Sequence, residues 1–394
     1  WAGYDELIIT GQAKKPVYLT IFDDVVELHD ATELWGRDIW ETTEELWRRY
    51  DKEYSVLAIG QAGENLVKIA EAFVDKVSHL GKDGFGAVMG AKKLKAIVVR
   101  GTKGVVIADK MRFMNTVSTY LESCRRVPLR KQWQRFGLVS FYEGYVKTGQ
   151  MFIGKNYRES VPEKEALENF GIEALDKIIT RAYACPGCHS GDKCFVEVPE
   201  VGECSLSAML MGGYWGMRGA KDLPEAIKLH SMANRAGICA LTSSAIIGWL
   251  TDLYEHGVIT EKDLDGLVPQ YDFNTLVTLL EKTIYRQGIG GVIAEGWNGA
   301  KRMIGRGSEK YSVDQKGIDL EFDPRAAFGS EGFSQCTRPS GGSPPIEAMA
   351  VTMRDGEMPV EKIPKWVERR GIVPEPAMEG VFPGPPSGFA SRSF

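Results

Sequence analysis

The sequence predicts an α+β protein, with a β-rich N-terminal region followed by mainly α-helical domains. Three observations carry this. Up to about residue 105, short β-branched runs alternate with turn residues, as at 16–22 and 54–59. Beyond Lys110 the apolar residues recur at helical spacing between capping residues. Just before that change, a stretch with Gly81, Gly84, Gly86 and Gly90 runs through a basic cluster into an apolar strand at 96–99. The expected division is a β-rich domain over 1–105, a helical domain over 106–315 and the start of a third, helical domain over 316–394.

In chain order, residues 4–10 form an apolar run closed by Gly11. Residues 16–22 alternate, Asp23-Asp24 turns, and 25–28 returns, which gives a hairpin. A turn at 31–36 leads to a polar helix over 41–50 and a strand over 54–59. Val67, Ile69, Ala70 and Phe73 recur at helical spacing, so a helix is expected over 66–73. Residues 111–125 and 165–181 read as helices. A helix over 222–236 carries the full signature: Asp222 caps it, Pro224 sits in its first turn and Gly237 stops it. An apolar helix follows over 246–256, ended by Gly257, and a helix pair surrounds Gly288-Ile289-Gly290-Gly291.

Composition bounds the function. The chain has 394 residues, 43% hydrophobic and 26% charged, within the range of a globular protein of two or three domains. A net charge of −5 argues against nucleic-acid binding, and no apolar run is long enough for a membrane span. Seven cysteines, an odd count with three clustered, favour a reducing, cytoplasmic setting and metal ligation over a disulfide framework. The opening Trp1-Ala2-Gly3-Tyr4 and the Pro/Gly-rich tail over 374–394 suggest a chain cut from a longer one.

Two stretches carry chemistry. In the glycine-rich stretch, backbone can approach a ligand closely, and N–H groups beside Lys92, Lys93 and Lys95 suit a phosphorylated cofactor. Its order is neither the dinucleotide fingerprint nor a Walker loop, and a plain tight turn fits it as well. In Cys185-Pro186-Gly187-Cys188-His189-Ser190-Gly191-Asp192-Lys193-Cys194, three thiolates lie close along the chain. By spacing alone this suits a [4Fe–4S] cluster or a zinc ion, with His189 or Cys204 as the zinc's fourth ligand.

The stretch from Gly84 to Ile97 resembles the signature G-x-G-A-V-M-G-S-K-N-L-K-A-I of the aldehyde:ferredoxin oxidoreductase family. The segments AGYDELIITGQAKKPVYLTI, DATELWG and AIGQAGENLVKIA are similar to its N-terminal domain, in the expected order. The resemblance implies a tungsten bis-pyranopterin cofactor, with molybdenum as the alternative metal, bound at Lys82, Asp83, Gly84, Phe85, Gly86 and Ala87. The family loop usually opens with Arg-Gly where Lys82-Asp83 stands. A [4Fe–4S] cluster at Cys185, Cys188 and Cys194 is implied too; the family motif C-x-x-C-x-x-x-C is shorter there, and its fourth cysteine lies far downstream, with Cys204 and Cys336 as internal alternatives.

Further implications concern single residues. The family reads D-x-x-G-L-D-T-I-S where this chain has Asn234, Gly237, Ile238 and Cys239, a second pterin-binding turn. Alone, Cys239 reads as a small buried hydrophobe; on the family site it becomes a soft ligand for tungsten. That substitution resembles a divergent branch, the active-site subunit of ATP-independent benzoyl-CoA reductase. Glu203 lies near the family's metal-side carboxylate or serves as a helix-entry carboxylate, and His189 is a candidate proton donor. No histidine follows His256, so the family's downstream histidine is absent. The implied reaction is reduction of an aromatic acyl-CoA, with ferredoxin-dependent aldehyde oxidation as the alternative. The implied partners are ferredoxin or an iron–sulfur subunit, within an oligomer. A scaffold protein with a zinc loop is the reading of another class.

Overall fold

The hairpin read from residues 16–28 opens a six-stranded sheet in a computed structural model of the chain. The structure describes residues 1–320 apart from 82–83, 127–129, 148–153, 190 and 207–210. Lys82, Asp83, Cys336 and all of 321–394 therefore lie outside the described residues. Strands β1 (Val17–Phe22) and β2 (Val25–Asp30) pair antiparallel across Asp23, whose φ of +49° makes the tight turn. With β3 (Ser55–Ile59), β4 (Ala72–Val74), β5 (Ser78–Leu80) and β6 (Leu94–Arg100) the order is β2-β1-β6-β3-β4-β5. Only β1 and β6 run parallel in this sheet.

Alternation sorts the sheet's two faces. Tyr18, Val56, Ala58, Phe73, Ala96 and Val98 pack under helix α1 (Ile39–Tyr50), against Ile39, Trp40 and Leu46. Leu19, Ile21 and Leu94 face the other way, toward Ala2. Asp38 and Glu41 close a capping box at the start of α1, each carboxylate accepting the other residue's backbone N–H. Residues 4–10 carry no strand.

The expected helix over 66–73 does not form. Helix α2 (Gln61–Glu64) ends at Asn65, Leu66 adopts φ +58°, and the chain passes through a turn over 67–70 into β4. Val67, Ile69, Ala70 and Phe73 are buried as expected, but by neighbours on several elements, not along one helix face. Helix α3 (Phe85–Ala91) then carries the glycine-rich stretch into β6.

Helices dominate the rest. α4 (Lys110–Arg125) buries none of its residues. The expected helix over 165–181 breaks at Gly171 into Glu163–Phe170 and Ile172–Asp176, then becomes strand β7 (Ile179–Tyr183). With β8 (Lys193–Val198) and β9 (Gly202–Leu206) it forms a three-stranded antiparallel sheet that the helical reading missed. The main core lies between α5 (Leu223–Ala236), α6 (Ala240–Glu255), α7 (Phe273–Ile284) and α8 (Gly296–Ile304), around Trp215, Trp249 and Trp297. Helix α6 is buried on nearly every side. Among the described residues, no helix is long and apolar enough to cross a membrane.

Candidate cofactor site

Residues 67–71 are the joint of the site. The Glu71 N–H donates to Gly237 O at 2.8 Å, the Cys239 N–H to Ile69 O at 3.0 Å and the Gly86 N–H to Ala70 O at 3.1 Å. Ala70 and Ile238 form an isolated antiparallel bridge. This one segment, turned back on itself by the Ala70 N–H donating to Val67 O at 2.9 Å, thus docks the glycine-rich turn and the Gly237–Cys239 turn. Both pterin-side stretches expected from sequence are brought together, although about 150 residues separate them.

Glycine is required where these backbones touch. A Cβ on Gly86 would sit 2.5 Å from Glu71 O, and one on Gly84 2.6 Å from Lys68 O. Gly237 has φ +72° and its Cβ would lie 2.9 Å from Glu71 O. Real Cβ atoms do not approach carbonyl oxygens so closely, so the glycines let the two turns close on the joint.

The lysines that follow do not face a ligand. Lys92 and Lys93 donate to Gly11 O and Lys14 O. Lys95 is fully buried and donates to Glu64 Oε1 at 2.5 Å and Arg37 O at 2.7 Å. Burial pushes the Lys95 ammonium down and the Glu64 carboxyl up, and their attraction opposes both shifts. This corrects the reading of the cluster as a phosphate-side charge: it clamps the sheet internally.

Cys239 is the N-cap residue of α6 and only 4% exposed. Thr242 Oγ1 lies 3.4 Å from its Sγ and donates to Asp319 Oδ1 at 2.6 Å. The N-terminus of a long helix favours negative charge at this place, which suits an anionic sulfur. Five residues earlier, the Asn234 Nδ2 amide lies 2.7 Å from His230 Nε2, both side chains buried. Burial, and then His79, push His230 down to about 3, so the ring is neutral. With Nε2 accepting from the amide, the ring proton sits on Nδ1, and that buried N–H has no partner. A buried donor left unanswered beside a candidate cofactor turn fits a ligand carrying hydrogen-bond acceptors, as a pterin does.

The cysteine loop lies beside the same region. Cys185 Sγ is 3.7 Å from Ser78 Oγ on β5, one residue before His79. Gly187 at φ +78° makes a tight turn in which the Cys188 N–H donates to Cys185 O at 2.9 Å. The Gly191 N–H donates to Cys188 Sγ at 3.3 Å. Lys193 Nζ donates to Cys185 Sγ at 3.3 Å and to Asp192 Oδ1 at 3.1 Å. Cys194 is placed differently. It follows Lys193 on β8, so its side chain leaves the opposite face and enters the core near Cys204. Burial pushes both of these thiols up to about 12. Among the described residues, no three His, Cys, Asp or Glu side chains are gathered closely enough to hold a metal ion.

Two expected residues stand apart. Glu203 is exposed on β9, bonded by Thr180 Oγ1 at 3.0 Å and by Arg181. Partial burial raises its carboxyl, and the Arg181 and Thr180 bonds outweigh that and hold it below the ordinary range. The His189 ring meets Tyr120 of α4 edge-on, its centroid 5.1 Å away. Neither is placed at Cys239 by these contacts.

Sequence reasoning missed Thr242, Asp319, His230 as an orphaned donor, and a cavity of about 350 Å³ bounded by Asn156, Arg158, Asp252, His256, Lys310 and Tyr311. Three successive left-handed residues, Lys155, Asn156 and Tyr157, shape one wall. Asn156 Nδ2 donates to buried Asp252 at 2.5 Å, and Arg158 pairs with the same carboxylate at 2.6 Å. A positive φ cannot be read from residue type here, since none of the three is glycine.

Comparison with known proteins bears on the whole assembly. Residues 1–101 match the family model described as aldehyde ferredoxin oxidoreductase, N-terminal domain, and residues 115–372 the one described as domains 2 and 3. The chain is 32% identical over 351 residues to the tungsten-containing aldehyde ferredoxin oxidoreductase of Thermococcus kodakarensis, covering 87% of this chain and 57% of that protein. It is 29% identical over 358 residues to the WOR-like subunit of an aliphatic sulfonate oxidoreductase of Pyrococcus furiosus, covering 80% and 54%. The chain thus spans little more than half the length of these relatives. The solved active-site complex BamBC of benzoyl coenzyme A reductase, in complex with 1,5-dienoyl-CoA, shares the fold. There the TM-score is 0.73 at 24% identity, over 92% of this chain and 59% of that one. The chain belongs to the aldehyde ferredoxin oxidoreductase family.

Proposed function

We propose that this chain forms the cofactor-holding part of a tungsten oxidoreductase that reduces an aromatic acyl-CoA thioester such as benzoyl-CoA. One observation carries the reading: Cys239, a buried thiol at a helix N-terminus, stands on the turn that docks through residues 69–71 onto the glycine-rich loop. A tungsten bis-pyranopterin supplies two-electron chemistry at low potential when bound. Ring reduction to a dienoyl thioester consumes two electrons and two protons.

The chain's own residues then have distinct tasks. Gly84, Phe85, Gly86 and Ala87 present backbone on one side, with Lys82 and Asp83 in the same loop; Asn234, Gly237 and Ile238 present it on the other. Asn234 fixes the imidazole tautomer, and the His230 Nδ1–H would answer an acceptor on the cofactor. Cys239 offers a soft sulfur to the metal, and Thr242 and Asp319 hold its surroundings polar. Cys185 and Cys188 are the loop thiols that would hold an iron–sulfur cluster, which would supply single-electron transfer from ferredoxin or an iron–sulfur subunit.

Ferredoxin-dependent oxidation of an aldehyde to its acid is the second reading. The name and identity of the Thermococcus relative favour it. The two are separated by assay of the full-length protein, purified without oxygen. Turnover of benzoyl-CoA with a low-potential donor, and none of aldehydes, supports ring reduction. Aldehyde-dependent reduction of a viologen dye, with benzoyl-CoA untouched, replaces it with the second reading.

A further inference from the structure

We propose that the Glu71 carboxylate holds the amino-substituted pyrimidinone edge of a pterin and so selects that ring system for the site; this rests on the cofactor reading above. Glu71 stands where three backbones meet. Its N–H donates to Gly237 O at 2.8 Å, and its carbonyl oxygen is the atom that Gly86 and Gly237 approach too closely for any side chain. Both candidate cofactor turns are therefore packed on Glu71 itself. Strand alternation fixes the direction of its side chain. Ala70 and Ile238 pair in the isolated bridge and are both fully buried in the main core. Glu71, next along the chain, leaves by the other face. Strands β4 and β5 pair Ala72 with Leu80 and Phe73 with His79, which brings Glu71 opposite Gly81. Its Oε1 lies 3.3 Å from the place a Cβ on Gly81 would take, and His79 Nε2 lies 3.6 Å from the same place. Gly81 is the residue before the loop over 82–87, so Glu71, only 5% exposed, sets its carboxylate at the mouth of that loop.

The chemistry of the ligand follows from what the two turns offer. A pterin carries acceptors on its carbonyl and ring nitrogens. On its pyrimidinone edge it carries two adjacent donors, the N3–H and the 2-amino group. That pair resembles one side of a guanidinium, and a carboxylate answers it with two parallel hydrogen bonds. Asn234 and Cys239 stand where the family motif has aspartates, so the turn over 234–239 supplies no carboxylate of its own. Glu71 supplies one at the same joint. The orphaned His230 Nδ1–H serves the acceptors, and His79, which shares a face with Glu71, is close enough for its charge to press on His230. Orphaned donor and carboxylate thus belong to one neighbourhood, matched to the two kinds of edge a pterin presents. A lumazine, with a carbonyl in place of the 2-amino group, sets an acceptor against the carboxylate and is disfavoured.

The test uses full-length protein purified without oxygen, wild type beside Glu71→Gln, with near-ultraviolet dichroism comparing their folds. Pterin released by acid and iodine is counted per chain by its fluorescence. The amide of Glu71→Gln sets a donor against an edge made of donors, so the variant should retain about a tenth or less of the wild-type pterin. A second measurement needs no variant. Cofactor-free wild type, from cells unable to make the pterin, is titrated with 6-hydroxymethylpterin and with 6-hydroxymethyllumazine. The pterin should bind about 10-fold tighter or more, and folded Glu71→Gln should lose that preference. Full pterin content in Glu71→Gln, or equal affinity of wild type for the two rings, overturns the proposal. Wild type that carries no pterin and binds neither ring removes the cofactor reading itself, a distinct failure.

Discussion

Substituting alanine at two helix-ending glycines separates the docking of the cofactor turn from ordinary helix termination. Gly237 follows α5 at φ +72° and Gly257 follows α6 at φ +68°. Alanine pays the same left-handed penalty at both, about 1–2 kcal/mol. Only at Gly237 does the added Cβ meet other atoms: Glu71 O at 2.9 Å, Ile39 Cδ1 at 3.0 Å and Gly60 N at 3.2 Å. At Gly257 nothing lies within 4 Å. Overpacking of this kind costs a further ~1–3 kcal/mol. Gly237→Ala is therefore expected to lose about 2–5 kcal/mol in all, and Gly257→Ala about 1–2. With ~2–4 °C per kcal/mol for a domain of this size, the two melting temperatures should differ by roughly 2–12 °C, Gly237→Ala the lower. Thermal melts followed by near-ultraviolet dichroism read both. Gly237→Ala should also bind less pterin, because the strained turn carries Cys239. Equal melting temperatures would refute the claim that close backbone approach, and not helix ending alone, demands glycine at 237.

Other predictions concern buried charge and protons. Lys95→Met leaves Glu64 buried without its cation and should cost about 3–5 kcal/mol near neutral pH. The lone carboxyl folds best protonated, so the deficit should shrink as pH falls toward 5; a deficit independent of pH refutes the pairing. His230 is held neutral, its value lowered from 6.5 to about 3, so the unfolded chain binds the extra proton between those values. Stability gained from this residue is complete above pH 6.5 and is lost as pH falls. Between pH 6 and 5 wild type should lose stability more steeply than His230→Gln, by up to ~1 kcal/mol. Parallel urea-melt profiles would contradict this. Thr242→Val removes one hydrogen bond to buried Asp319 and should cost about 1–2 kcal/mol while changing the absorption of the loaded protein. An unchanged spectrum would separate Thr242 from the metal's surroundings.

The sequence revealed elements whose causes are local. The β1–β2 hairpin and α5 were legible because turn and capping residues act within a few positions. The joint at 67–71 was not, because its apolar residues mimic a helix face while the segment is held by Gly86, Gly237 and Cys239. Charge at Lys92, Lys93 and Lys95 was visible, but their partners lie 31 to 81 residues away in sequence. Cys194 was grouped with Cys185 and Cys188 by spacing; strand alternation, which spacing does not register, turns it into the core. Family signatures pointed to both halves of the candidate cofactor site, and geometry then distinguished the residues that meet there from those, such as Glu203, that pair elsewhere.

The central claim is that Cys239 faces the metal of a tungsten cofactor. Its most direct test is metal analysis and absorption spectroscopy on full-length protein purified without oxygen, wild type beside Cys239→Ala. The account predicts tungsten with iron in wild type, and a metal absorption spectrum altered in the variant. Tungsten with identical spectra would return Cys239 to the core and favour aldehyde chemistry; zinc alone in the wild type would contradict the account.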